Sequence, residues 1–172
     1  MEIKYLKDCS QFIPVIAGLI HAEWGFLYPA RTVADLVNAL KKNLNTDRVP
    51  LTLVAVENER LVGTVGLEEF DMDTRMEYSP WLVSLYVIPD YRQVDEHRKT
   101  GVHQQVARQL VERATETAWA LGVKTLYLYT LKPHAGFYES RGWRVLEKMV
   151  YKNRPVTVLA LDLSRSGTPF RS

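Results

Sequence analysis

The stretch YRQVDEHRKTGVHQQ, Tyr91 to Gln105, sets Arg98 and Lys99 just ahead of Gly101, where a long amphipathic segment begins. Positive charge and a glycine at the start of a helix are what a backbone cradle for a phosphate needs, because free N–H groups and the helix dipole meet there. A second concentration is LEEFDMDTRME, in which Glu68, Glu69, Asp71, Asp73 and Glu77 gather around a lone Arg75. Such a rim attracts a cationic amine, although a solvated hairpin loop is the plainer account of the same run. His21, His97, His103 and His134 lack the i, i+4 spacing of a helical metal pair, and Cys9 is the only cysteine. Neither a metal site nor an internal disulfide is therefore expected, and Cys9 has no neighbour that would activate its thiol.

The elements that must position these residues follow from periodicity and turn chemistry. MEIKYLK suits a first strand, and Ile13, Ile16, Ala17, Ile20 and Trp24 recur at helical spacing between Pro14, which suits a first turn, and Gly25, which suits a C-terminal cap. A second helix starts at Thr32, whose hydroxyl can cap free N–H groups, and carries Val33, Leu36, Val37, Leu40 and Leu44 on one side. The run from Pro50 to Phe70 reads as a hairpin turned at Asn58 and Glu59, and WLVSLYVIP as a strand ended by Pro89. A helix from about Val102 to Leu121 stops at Gly122, VKTLYLYT reads as a buried strand, and HAGFYESR as a short helix capped by Gly142. WRVLEKMVY and PVTVLALDL make a closing antiparallel pair. Alternating strands and helices followed by strand pairs predict an α/β (α+β) domain with a mixed sheet.

At 172 residues the chain has the length of one ordinary domain, expected over residues 1–163 with 164–172 as a solvated tail. A formal charge of +2 gives no electrostatic case for nucleic acid or an anionic membrane. No apolar run approaches the roughly 20 residues of a membrane span, and the start MEIKYLKDCS lacks the layout of a secretion signal, so a cytoplasmic location is expected.

LYVIPDYR, a loop with Gly101, a long helix and then HAGFYESRGW, in that order, resemble the GCN5-related N-acetyltransferase (GNAT) family over essentially the whole chain. The resemblance implies a mostly antiparallel mixed sheet of about seven strands with about four helices. Two central parallel strands, around Leu85 and Leu128, would splay apart to admit acetyl-coenzyme A. It implies an acetyl-CoA-dependent N-acetyltransferase that moves the acetyl group directly to a primary amine of a small molecule or peptide, as a monomer or homodimer. A catalytically silent acyl-CoA-binding sensor of the same fold is the alternative.

By the same resemblance, Leu85, Tyr86 and Val87 belong to a strand that stops pairing and offers backbone N–H groups to the cofactor arm and thioester oxygen. Tyr138 matches the tyrosine that acts as general acid on the departing thiolate, and Phe137 packs against the cofactor arm. For a general base the candidates are Glu68 and Glu69; alternation puts Glu68 on one face with Val62, Thr64 and Gly66, and Glu68 is chosen. Trp24, Phe26, Tyr28 and Arg31 fall where the family borders its acceptor site. The pyrophosphate motif [QR]-x-x-G-x-[GA] maps onto Arg98, Lys99, Thr100, Gly101, Val102 and His103, with Gln104 following. His103 replaces a small residue there, and Gly101 comes nine residues after Arg92 instead of three, so the loop is lengthened and Arg98 takes the arginine's role.

Overall fold

The computed structural model describes residues 1–91, 102–131 and 134–164. In chain order the elements are β1 (Glu2–Tyr5), α1 (Ile13–Trp24), α2 (Val33–Lys42), β2 (Leu51–Glu57), β3 (Arg60–Glu68), β4 (Trp81–Val87), α3 (Val102–Ala120), β5 (Thr125–Leu131), α4 (Ala135–Glu139), β6 (Arg144–Tyr151) and β7 (Arg154–Asp162). Among the described residues seven strands form one sheet in the order β1-β2-β3-β4-β5-β7-β6. Every neighbouring pair is antiparallel except β4 and β5. The hairpins turn where Asn58 and Glu59, and Lys152 and Asn153, adopt positive φ of 48°, 62°, 47° and 61°. Two such residues in a row match the right-handed twist of the flanking strands.

α3 packs on one face of the sheet through Val106, Leu110, Val111 and Ala114, against Leu53, Val65 and Leu67. On the other face α1 and α2 bury Ile13, Ile16, Leu36 and Leu40 against Val54 and Leu61. The Thr32 cap forms as expected: Asp35 N–H donates to Thr32 Oγ1 and Thr32 N–H to Asp35 Oδ2, a closed capping box. Gly25 stands at the end of α1, but with φ −57° it keeps a right-handed turn and leads into a short 3-10 turn instead of a left-handed cap.

Strand alternation is reset in β3. Ala55 pairs with Gly63 and Val56 with Leu61, so Val62 is an extra residue that joins the α3 face while Leu61 faces α1 and α2. Glu68 therefore shares its face with Thr64 and Gly66 but not with Val62, contrary to simple alternation. At Gly63 the helix and β4 come close: an added Cβ would lie 2.7 Å from the Tyr86 carbonyl oxygen and 3.0 Å from Leu110 Cδ1. Gly63→Ala is expected to cost about 1–3 kcal/mol in urea unfolding, because a backbone atom has to move to make room.

Beyond Glu68 the acidic segment folds over the sheet. Met72 and Trp81 are fully buried, Trp81 Nε1 donates to the Tyr78 carbonyl, and Tyr78 stacks on Tyr127 at 4.6 Å. Arg75 is not left among the acidic residues of its own loop; it makes a two-pronged pair with Glu147 of β6, both contacts at 2.6 Å. That pair holds the Glu147 carboxylate below its usual range and ties the loop to the far half of the sheet.

Candidate functional site: a cleft between two parting strands

β4 and β5 run parallel, yet among the described residues their register contains a single rung, Trp81 opposite Tyr127. Past that rung the strands separate. The expectation that pairing stops near Leu85 to Val87 needs refinement on both sides of β4. Towards β5 it ends immediately after Trp81. Towards β3 it continues to Val87, interrupted by a register shift at Ser84 and Leu85 where Ser84 takes φ +53°. A serine held in the left-handed region inside a strand is a local cost that the rest of the sheet sustains, and this irregular stretch lines the cleft.

The gap opens into a cavity of about 640 Å³. Ser84, Leu85, Tyr86 and Val87 form one wall and Leu128 to Leu131 the other, with Ala107 of α3 and Phe137 and Tyr138 of α4 at one end. Trp24, Tyr28 and Arg31 close it from the α1–α2 side, Trp24 meeting Tyr86 edge-on at 6.1 Å. Phe26, expected with them, is instead exposed and lies under Arg154. The size and largely apolar lining suit an extended organic ligand.

Tyr138 is buried, its ring edge-on to Phe137 and Trp143, and its hydroxyl makes no hydrogen bond among the described residues. Burial pushes its pKa well above the ordinary tyrosine value, so the phenol keeps its proton. Across the cavity Tyr28 and Tyr129 hydroxyls meet at 3.2 Å, and both are likewise raised by burial.

Glu68 does not line this cavity. It lies in a neighbouring one of about 480 Å³ between α2 and strands β2–β4, where Asn43 Nδ2 donates to its Oε1. Burial raises its pKa despite that bond. Asp71 lines both cavities. Its carboxylate is largely buried, with no hydrogen bond among the described residues, and burial together with the Glu68 charge pushes its pKa up to about 7, Arg31 opposing. In the sequence Asp71 stands out only as part of an acidic rim. The signal that could have separated it is Met72, an apolar neighbour that draws this part of the loop into the core. Glu69 is exposed.

Of the expected phosphate cradle, Arg98, Lys99, Thr100 and Gly101 lie outside the described residues. Val102, His103 and Gln104 form the first turn of α3. Among the described residues no group of three or more His, Cys, Asp or Glu residues is arranged to hold a metal ion, and no helix is long and apolar enough to cross a membrane.

The profile of the acetyltransferase (GNAT) domain matches residues 50–145. An aminoglycoside 6'-N-acetyltransferase complexed with coenzyme A is 17% identical and superposes with a TM-score of 0.67 over 98% of this chain and 100% of its own. The aminoglycoside 6'-N-acetyltransferase from Enterococcus faecium gives 17% and 0.64 over 98% and 100%. An acetyltransferase from Streptococcus agalactiae gives 20% and 0.64 over 94% and 97%. At these identities the likeness is one of fold. No curated protein matches by sequence.

Proposed function

The chain belongs to the GNAT acetyltransferase family, and from that premise we propose that it is an acetyl-CoA-dependent N-acetyltransferase whose acceptor is a primary amine. The observation that carries the reading is the cleft itself: a parallel pair joined at one rung, bulged at Ser84, and walled by Leu85, Val87, Leu128 and Phe137. Acetyl-CoA supplies an acyl group on a good leaving thiolate. The chain's residues supply the rest. β4 from Ser84 to Val87 lines the arm of the co-substrate and turns backbone towards its carbonyl. Asp71, unlike Glu68, borders this cavity, and it accepts a proton from the incoming ammonium so that the nitrogen lone pair is free to attack. Tyr138 donates to the departing sulfur as the C–N bond forms and the C–S bond breaks. The second nitrogen proton balances the one given to the thiolate, and the first leaves for solvent from Asp71.

At the far end of the arm, the first turn of α3 and the residues before it would meet the pyrophosphate, with Arg98 and Lys99 adding charge. The known activity of the two 6'-N-acetyltransferases above makes small-molecule amines the acceptors to try first.

Calorimetry with acetyl-CoA and CoA, followed by thiol release against a panel of amines, tests the proposal. Binding at micromolar concentration and amine-dependent thiol release are expected. Absence of CoA binding at high protein concentration would sink it, and binding without turnover on any amine would make the chain an acyl-CoA sensor.

A further inference from the structure

The two cavities adjoin, sharing Asp71, Arg31, Val83 and Ser84 in their linings. The bulge at Ser84 that lines the first cavity therefore also borders the second. The second sets Asn43, Thr52, Thr64 and Glu68 among apolar walls such as Leu36, Leu40 and Val83. Its charges are arranged unequally. Arg31 and Lys42 also line it but are exposed, where solvent and salt weaken their field. Asp35 is exposed too and committed to the Thr32 cap. Glu68 and Asp71 lie inside. One Glu68 oxygen is held by Asn43, and the Asp71 carboxylate has no hydrogen bond among the described residues. Two inward carboxylates facing one hollow, Asp71 at the junction and Glu68 in the second cavity alone, ask for positive charge at two points.

We propose that the second cavity holds the body of the acceptor and that the acceptor is an amine with a second cationic nitrogen, the reacting nitrogen at Asp71 and the other at Glu68. This rests on the acetyltransferase reading for the role of the ligand, but the binding claim stands on the cavity. Such a ligand satisfies both carboxylates at once, whereas a monoamine leaves Glu68 facing the hollow. An amino acid would instead set its carboxylate against Glu68 and rely on exposed Arg31 for compensation.

Three four-carbon probes separate these cases by titration calorimetry on the full chain, free and saturated with CoA: 1,4-diaminobutane, butylamine and 4-aminobutyrate. The diamine is expected to bind roughly tenfold or more tighter than butylamine, and 4-aminobutyrate no tighter than butylamine. Glu68→Gln should bring the diamine down to the butylamine level, while Asp71→Asn weakens both. In the unsubstituted protein diamine affinity should rise between pH 6 and 8 as Asp71 ionises against Glu68, Arg31 and the still-protonated Tyr28 and Tyr129. That rise needs no variant and disappears in Asp71→Asn. Equal affinity for diamine and butylamine, preference for 4-aminobutyrate, or no binding of any probe at millimolar concentration would each overturn the proposal. Loss of CoA binding with diamine binding retained would instead overturn the acetyltransferase reading and leave the site standing.

Discussion

Tyr138→Phe is expected to lower amine-dependent thiol release roughly 10²–10⁴-fold, the range over which a positioned acid or base acts. The substitution removes one oxygen and keeps the ring that packs between Phe137 and Trp143. Because the hydroxyl makes no hydrogen bond among the described residues, its loss leaves no partner stranded there and the melting temperature should hold or rise slightly. The Michaelis constant for acetyl-CoA should change little, since the contact matters as charge develops on sulfur and not before. A variant with unchanged kcat would reduce Tyr138 to a wall of the cleft.

The second large effect is thermodynamic. Asp71→Asn should stabilise the protein at pH 8 and leave it nearly unchanged at pH 4. An unfolded aspartate titrates near 3.9, whereas in the folded chain Asp71 is pushed up to about 7. Well below pH 4 both states carry the proton and the group contributes no penalty, and at pH 4 the penalty is still only a few tenths of a kcal/mol. As pH rises from there the unfolded state ionises first, so stability falls until the folded carboxyl has titrated too. A shift of this size has a ceiling of about 4 kcal/mol, and partial exposure and relaxation bring the expected gain to roughly 2–3 kcal/mol. Thermal unfolding of both proteins at pH 4, 6 and 8 reads it directly: the two curves should diverge as pH increases. Parallel curves would mean that the carboxylate is solvated or paired. A gain in stability with a loss in amine binding is the signature of a group kept for use and not for folding.

Much of the fold was legible because its cues are local. Thr32 announces a helix start, Gly122 and Gly142 take positive φ where helices stop, and Asn58 and Glu59 turn a hairpin. The parting of β4 and β5 was not readable from periodicity and came only with the family resemblance, since a strand that leaves its neighbour has the same composition as one that stays beside it. Of the expected site, Leu85 to Val87, Phe137 and Tyr138 do converge on one cavity. Alternation placed Glu68 correctly with Thr64 and Gly66 but not Val62, which lies beyond the bulge, and a strand's period says nothing of which cavity that face borders. Ser84 carries no sequence sign of its positive φ, and Asp71 sits in a loop where no period exists to predict which side chain turns inward.

A sheet ordinarily has two edges, and natural proteins guard them because an open edge recruits strands from other chains. Here β1 and β6 are the outer pair, and the single rung between Trp81 and Tyr127 creates a second pair inside the fold. Residues of α3, α4 and the α1–α2 side line the gap between these inner edges, so they face a cavity rather than the rim of the sheet. Parting the sheet in its interior thus opens a cavity without adding a strand edge to the rim of the sheet.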